Sequence, residues 1–205
     1  MQAWGTSARF DYRWTDREPS KSGVLGLISA ALGCQRAEPI DDLAGLRMGV
    51  RVDREGTLSV DYQTALDVLK ADRTPGETVQ SRRYYLADAV FLVGLARADD
   101  NAVLAEIHAA LRNPRWTLFL GRKGYLPSAP IYLPDGLRDL PLEEALARYR
   151  PLTDPAPDMY RYILEAREGS LRMDQPGGPF SERRFRARYV RSVMVPRGEV
   201  PSVPE

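Results

Sequence analysis

Residues 46–62 read LRMGVRVDREGTLSVDY, and their alternation decides the fold. Leu46, Met48, Val50 and Val52 stand on one side of an extended chain and Arg47 and Arg51 on the other, the period of a strand with one face toward a core. Arg54-Glu55-Gly56 is a turn sequence and Leu58–Tyr62 alternates again, so the two runs predict a hairpin. On the N-terminal side, residues 19–33 (PSKSGVLGLISAALG) predict a helix that Ser20 caps and Gly33 ends. Val24, Leu25, Ile28, Ala31 and Leu32 form its buried stripe. Gly23, Gly26 and Ala30 form a second, flat stripe. Glycine costs roughly 1 kcal/mol per helical position, so that stripe calls for a close neighbour, a sheet in preference to RNA.

On the C-terminal side, residues 63–84 are polar with Pro75-Gly76 in the middle, and predict a projecting loop or hairpin. Leu86–Ala96 is an apolar run expected as a central strand. Asp99-Asp100-Asn101 offers a cap for a helix over 102–112, whose buried face is Val103, Leu104, Ile107 and Leu111; Asn113-Pro114 ends it. Trp116–Leu120 reads as another strand. The order is most of a ferredoxin-like βαββαβ domain, an α+β class shared with RNA-recognition modules. Its first strand is missing, because only Met1–Trp4 lie before the loop of residues 5–18.

Past Leu126 the chain is rich in proline, then predicts a short helix at 142–149 and strands at 159–166 and 185–195. The expected plan is an RRM-like palm over 1–126 with a thumb at 63–85, an extension packed on the palm over 127–195, and a disordered tail over 196–205.

Composition narrows the function. No apolar run approaches the ~20 residues of a membrane span, no secretory leader is visible, and the single Cys34 suits a reducing cytoplasm. Net charge is only +1, yet 26 of the 29 basic residues are arginines, the better residue for bidentate phosphate contacts and base stacking. A GC-rich genome would also produce that bias. The charge is uneven: Ser181–Arg191 holds five arginines and one acid, and Arg112–Lys123 four basic residues and no acid.

Catalytic signals are weak. Lys21-Ser22 at a helix start lacks the glycines of a nucleotide-hydrolysing loop; a simple anion site and a plain capped helix both remain open. His108 is the sole histidine, at the border of a buried stripe, and is expected to have no catalytic role. One histidine and one cysteine, far apart, supply too few ligands for zinc. Glu143-Glu144 suit the start of a short helix. Arg82-Arg83 follow Ser81 at the foot of the projecting segment, beside Tyr84 and Tyr85, and read either as a backbone clamp or as a solvated pair next to core tyrosines. Gly121-Arg122-Lys123-Gly124 is a short basic loop suited to phosphate.

Five ordered stretches resemble one known family: MQAWG at 1–5, SKSGVLGLISAALGCQR at 20–36, DYQTA at 61–65, SRRYYLADAVFLVGL at 81–95 and PRWTLFLGRKGYLPSAPIY at 114–132. The pattern resembles the CasD subunits of type I-E CRISPR Cascade complexes. Members carry a further segment ahead of the MQAWG position, so the start is expected to lie at an internal methionine, and Gln63 stands where histidine is frequent.

The resemblance implies a non-catalytic subunit, acting as one copy per complex without a cofactor or metal, that holds the five-prime handle of the CRISPR RNA. It implies that the subunit caps the CasC backbone, contacts the large CasA subunit and meets target DNA only through the assembly. The residues it points to for RNA are Gln2, Trp4, Lys21, Ser22, Gln63, Ser81, Arg82, Arg83, Arg122 and Lys123, with Arg83 at a position where the family carries arginine. The rival implication is a metal-independent endoribonuclease of precursor RNA, as in type I-C relatives, although the basic loop here lacks histidine. A generic RNA-recognition domain would explain the element order but not the thumb.

Overall fold

The computed structural model describes residues 1–6, 11–70, 72, 74, 76–97 and 102–202. Along the chain lie β1 (Tyr12–Arg13), α1 (Lys21–Leu32), α2 (Asp41–Ala44), β2 (Arg47–Arg54), β3 (Thr57–Ala65), β4 (Val79–Ala87), β5 (Val90–Ala96), α3 (Ala102–Arg112), α4 (Leu142–Arg148), β6 (Met159–Ala166), β7 (Ser170–Pro176) and β8 (Phe185–Pro196). They form a mixed α+β fold with two sheets, one of five strands in the order β5-β2-β6-β8-β7 and one of three in the order β1-β4-β3.

The five-stranded sheet is antiparallel throughout and carries helices on both faces. Met48, Val50 and Val52 of β2 meet Val24, Leu25 and Ile28 of α1 and Ile107 of α3 on one side. On the other, Leu92, Tyr160, Tyr162 and Leu164 meet Leu142 and Leu146 of α4. α4 packs close because β2 and β5 carry glycine beneath it: a Cβ on Gly94 would lie 2.6 Å from Leu142 Cδ1, and one on Gly49 2.9 Å from Leu146 Cδ1. α1 begins and ends as its residues dictate. Ser20 Oγ accepts from Gly23 N–H, and Gly33 adopts a left-handed φ of 79° while its N–H donates to Ser29 O.

Pairing departs from the sequence reading. The run 46–53 forms β2, but it pairs with β5 and β6; β3 pairs with β4 over nine registered positions in the other sheet. The β3–β4 hairpin is thus inserted between two neighbours of the main sheet. The run 86–96 is not one central strand: it breaks at Asp88, which takes a positive φ of 57°, into the end of β4 and the edge strand β5. Residues 116–120 form no strand; Ala3 N–H donates to Leu120 O, and Leu120 N–H to Tyr125 O. β7 was not anticipated, because SLRMDQP has only weak alternation and a bulge. The cap expected at residues 99–101 lies outside the described residues. The flat stripe of α1 faces no sheet either: Gly23 lies under the Trp4 indole, Gly26 near Phe180, and Ala30 O accepts from Trp116 N–H. Residues 197–202 are described; Arg197 N–H donates to Asp158 O, and Pro201 is buried.

Candidate nucleic-acid interface

The alternation Leu58-Val60-Tyr62 against Ser59-Asp61-Gln63 gives the β3–β4 hairpin two unlike faces. Register places Tyr62 opposite Arg82 and Val60 opposite Tyr84 on one face, and Gln63 opposite Ser81 and Asp61 opposite Arg83 on the other. β1 adds parallel to β4, with Tyr12 beside Arg82 and Arg13 beside Arg83, anchored by Arg82 N–H donating to Asp11 O at 2.7 Å.

Arg83 Nε donates to Ser81 Oγ at 3.3 Å, and Asp61, opposite it, is held by Gln63 Nε2 at 2.6 Å. Arg82 Nη1 reaches the Tyr12 hydroxyl at 3.2 Å. The basic loop closes onto the same foot: Arg122 Nη2 donates to Arg13 O at 2.7 Å, and its guanidinium lies 5.8 Å from the Tyr125 ring centre, which is itself 5.8 Å from that of Tyr85. Gly121 makes the turn possible with a φ of 84°; a Cβ there would collide with Ala3 O. Lys123 is exposed. Among the described residues none of Arg13, Arg82, Arg83, Arg122 and Lys123 has a carboxylate within ion-pair distance.

Arg82, Arg83, Gln63, Ser81, Arg122 and Lys123 thus gather at one place, while Lys21 does not join them. Expected to meet RNA phosphate, it is buried: its ammonium pairs with Glu165 at 3.0 Å and its backbone N–H donates to Asp174 Oδ2 at 2.7 Å. Burial pulls its pKa below the usual lysine value, against the raising effect of Glu165. The N-terminus of α1, which could have taken an anion, is filled by the chain's own Asp174 carboxylate, which Arg188 holds from the other side at 2.6 and 2.8 Å. Ser22 is half-buried beside it. Trp4 is buried, with Nε1 donating to Gln2 Oε1, and Gln2 Nε2 donates to Ala89 O at 2.7 Å, so these two side chains tie the N-terminal residues to the turn between β4 and β5.

The arginine-rich stretch 181–191 is partly neutralised by Arg184–Glu182, Arg188–Asp174 and Arg191–Glu168 pairs. Sequence reasoning passed over Tyr12, Arg13 and Trp14, because a two-residue strand leaves no measurable period; the DYRW alternation is its only trace. His108 Nε2 lies 3.0 Å from Leu133 O, and its ring packs on Tyr132. Among the described residues no helix is long and apolar enough to cross a membrane, and no three His, Cys, Asp or Glu side chains cluster as metal ligands.

Known proteins share this pattern along most of the chain. The family described as CRISPR-associated protein (Cas_Cas5) matches residues 1–191. The CRISPR system Cascade subunit CasD of Escherichia coli (strain K12) is 35% identical over 170 residues, 74% of each chain. A Cas protein crystal structure superposes with a TM-score of 0.81 at 50% identity, over 100% of this chain and 94% of that one. A chain of a CRISPR RNA-guided surveillance complex superposes with a TM-score of 0.76 at 30% identity, over 95% and 86%. With a family match across nearly its whole length, the chain belongs to the CRISPR-associated Cas5 family.

Proposed function

We propose that the chain is a non-cutting, RNA-binding subunit of a type I-E Cascade surveillance complex, which holds the five-prime handle of the CRISPR RNA. In this reading one copy per complex caps the CasC backbone, touches CasA and works in the cytoplasm, and target DNA reaches it only through the assembly. The single observation that carries the reading is the set of cations at the foot of the hairpin, Arg13, Arg82, Arg83, Arg122 and Lys123, which have no carboxylate partner among the described residues. In the five-stranded sheet Arg161, Arg172, Arg188 and Arg191 are each paired with a carboxylate, while Arg54 on β2 and Arg186 on β8 have no ion pair among the described residues. Partnerless cations beside aromatic rings suit single-stranded RNA, whose phosphates need charge and whose unpaired bases need flat faces.

The test is co-purification of the chain with its CasC and CasA partners and identification of the RNA retained. Guide RNA carrying the repeat-derived handle is expected, with recovery reduced in Arg83→Ala and unchanged in Arg148→Ala, whose guanidinium is already paired with Glu144. Cleavage of precursor repeat RNA by the isolated chain, lost in His108→Ala, would overturn the reading in favour of a processing nuclease.

A further inference from the structure

We infer that the three-stranded sheet divides its work between its faces, with bases of the bound single strand stacking on an aromatic shelf made by Tyr12, Trp14 and Tyr84. The inference rests on the proposal above that the chain binds RNA, and adds the residues that receive the bases. Tyr12 is 59% and Trp14 46% exposed, although both are large rings that burial would favour. Trp14 lies 4.5 Å from Tyr84, centre to centre, and the Arg82 guanidinium sits 5.6 Å from the Tyr12 ring centre, with no carboxylate among the described residues within ion-pair distance of it. Flat rings flanked by a partnerless cation form the platform on which unpaired bases stack irrespective of sequence.

β1 links this shelf to the phosphate grip. It is the outer strand of its sheet, and its successive residues alternate between faces, so Arg13 stands with Arg83 on the polar side while Tyr12 stands with Arg82 on the aromatic side. An RNA backbone held by Arg13, Arg83 and the Arg122 loop has only to round this edge for its bases to reach the rings. Leu58 and Val60 on β3 extend the same face away from the edge, and they are the part that a protein partner would prefer.

The test uses the full chain and a synthetic single strand of the repeat-derived handle. Trp4 is buried, so in a Trp116→Phe background Trp14 is the one exposed tryptophan. Its fluorescence is expected to be quenched as RNA is added. Trp14→Ala and Tyr12→Ala should each weaken binding by about tenfold or more, as for a lost stacked base, without changing the dependence on salt. Trp14→Phe and Tyr12→Phe should restore most of it. A handle with abasic positions should bind wild type as weakly as it binds Trp14→Ala. Unquenched Trp14 fluorescence in the Trp116→Phe background, together with full affinity in the Tyr12→Ala, Trp14→Ala double variant, would overturn the shelf while leaving the phosphate grip standing. The same affinity with failure to join the other subunits would assign the face to protein. No RNA binding by the wild-type chain would overturn the shelf and the proposed function together.

Discussion

Arg51 on β2 and Arg83 on β4 are the same residue on two alternating strands, one in each sheet. Arg51 has no exposed surface and spends all five N–H donors: two on Asp53, at 2.8 and 2.9 Å, and three on the carbonyls of Leu146, Tyr149 and Arg150, at 2.6, 2.7 and 2.9 Å. Its guanidinium also lies 4.5 Å from the Tyr160 ring centre, and Asp53 Oδ2 accepts from Leu152 N–H. Arg51 therefore supplies donors to the otherwise open carbonyl end of α4 and ties residues 146–152 to the main sheet. Among the described residues the half-buried Arg83 side chain makes a single hydrogen bond, to Ser81, and no ion pair. An arginine whose fork the protein has filled acts as structure, whereas one left with free donors can bind a ligand.

The largest test of this contrast is Arg51→Ala. It leaves Asp53 charged and buried without its partner, and denaturant unfolding should show a loss of about 3–5 kcal/mol. Arg51→Lys should rescue little of it, since a point charge cannot fill a five-donor fork. A loss under about 1 kcal/mol would make the network dispensable and erase the distinction. Next in size is the packing difference between the sheets. Gly94→Ala drives a Cβ into Leu142 and should destabilise by about 1–3 kcal/mol, whereas Gln63→Ala on the exposed hairpin should stay within about 0.5 kcal/mol.

Arg122→Ala should leave stability within about the same margin and lower the slope of log RNA affinity against log salt by about 0.7, the share of one phosphate on a single strand. An unchanged slope would remove that loop from the grip. The smallest effect concerns Asp16, whose carboxyl burial pushes above its ordinary value despite the hydrogen bond from Thr6. A raised folded pKa means that the native state holds the proton longer, so this group's contribution to stability declines as pH rises from about 3.8 through the folded value and is constant above it. The stability advantage of Asp16→Asn over wild type should therefore grow across that window and then level off; a difference independent of pH would sink the assignment.

The ends of α1 were legible because a cap is local: Ser20 and Gly33 act on groups within a turn of themselves. The foot of the hairpin was legible in part, since Arg82 and Arg83 are adjacent and flanked by tyrosines. Tyr12 and Trp14 were not, because a strand this short shows itself only through its partner β4, some seventy residues on.

By itself the sequence determined which residues share a strand face, where the first helix starts and stops, and which family the chain resembles, all of them properties of neighbours along the chain. Tertiary structure alone decided what covers each face. Arg51 was placed opposite Met48 and Val50 by alternation, but only the arrival of α4, 95 residues later, made that second face a core. Lys21 looked free at a helix start until Asp174, 153 residues away, took its backbone N–H and Glu165 its ammonium. β2 exchanged the neighbour its turn suggested for β5 and β6 because strand pairing is chosen by burial of both faces of the sheet, and no local pattern records which distant segment supplies the second.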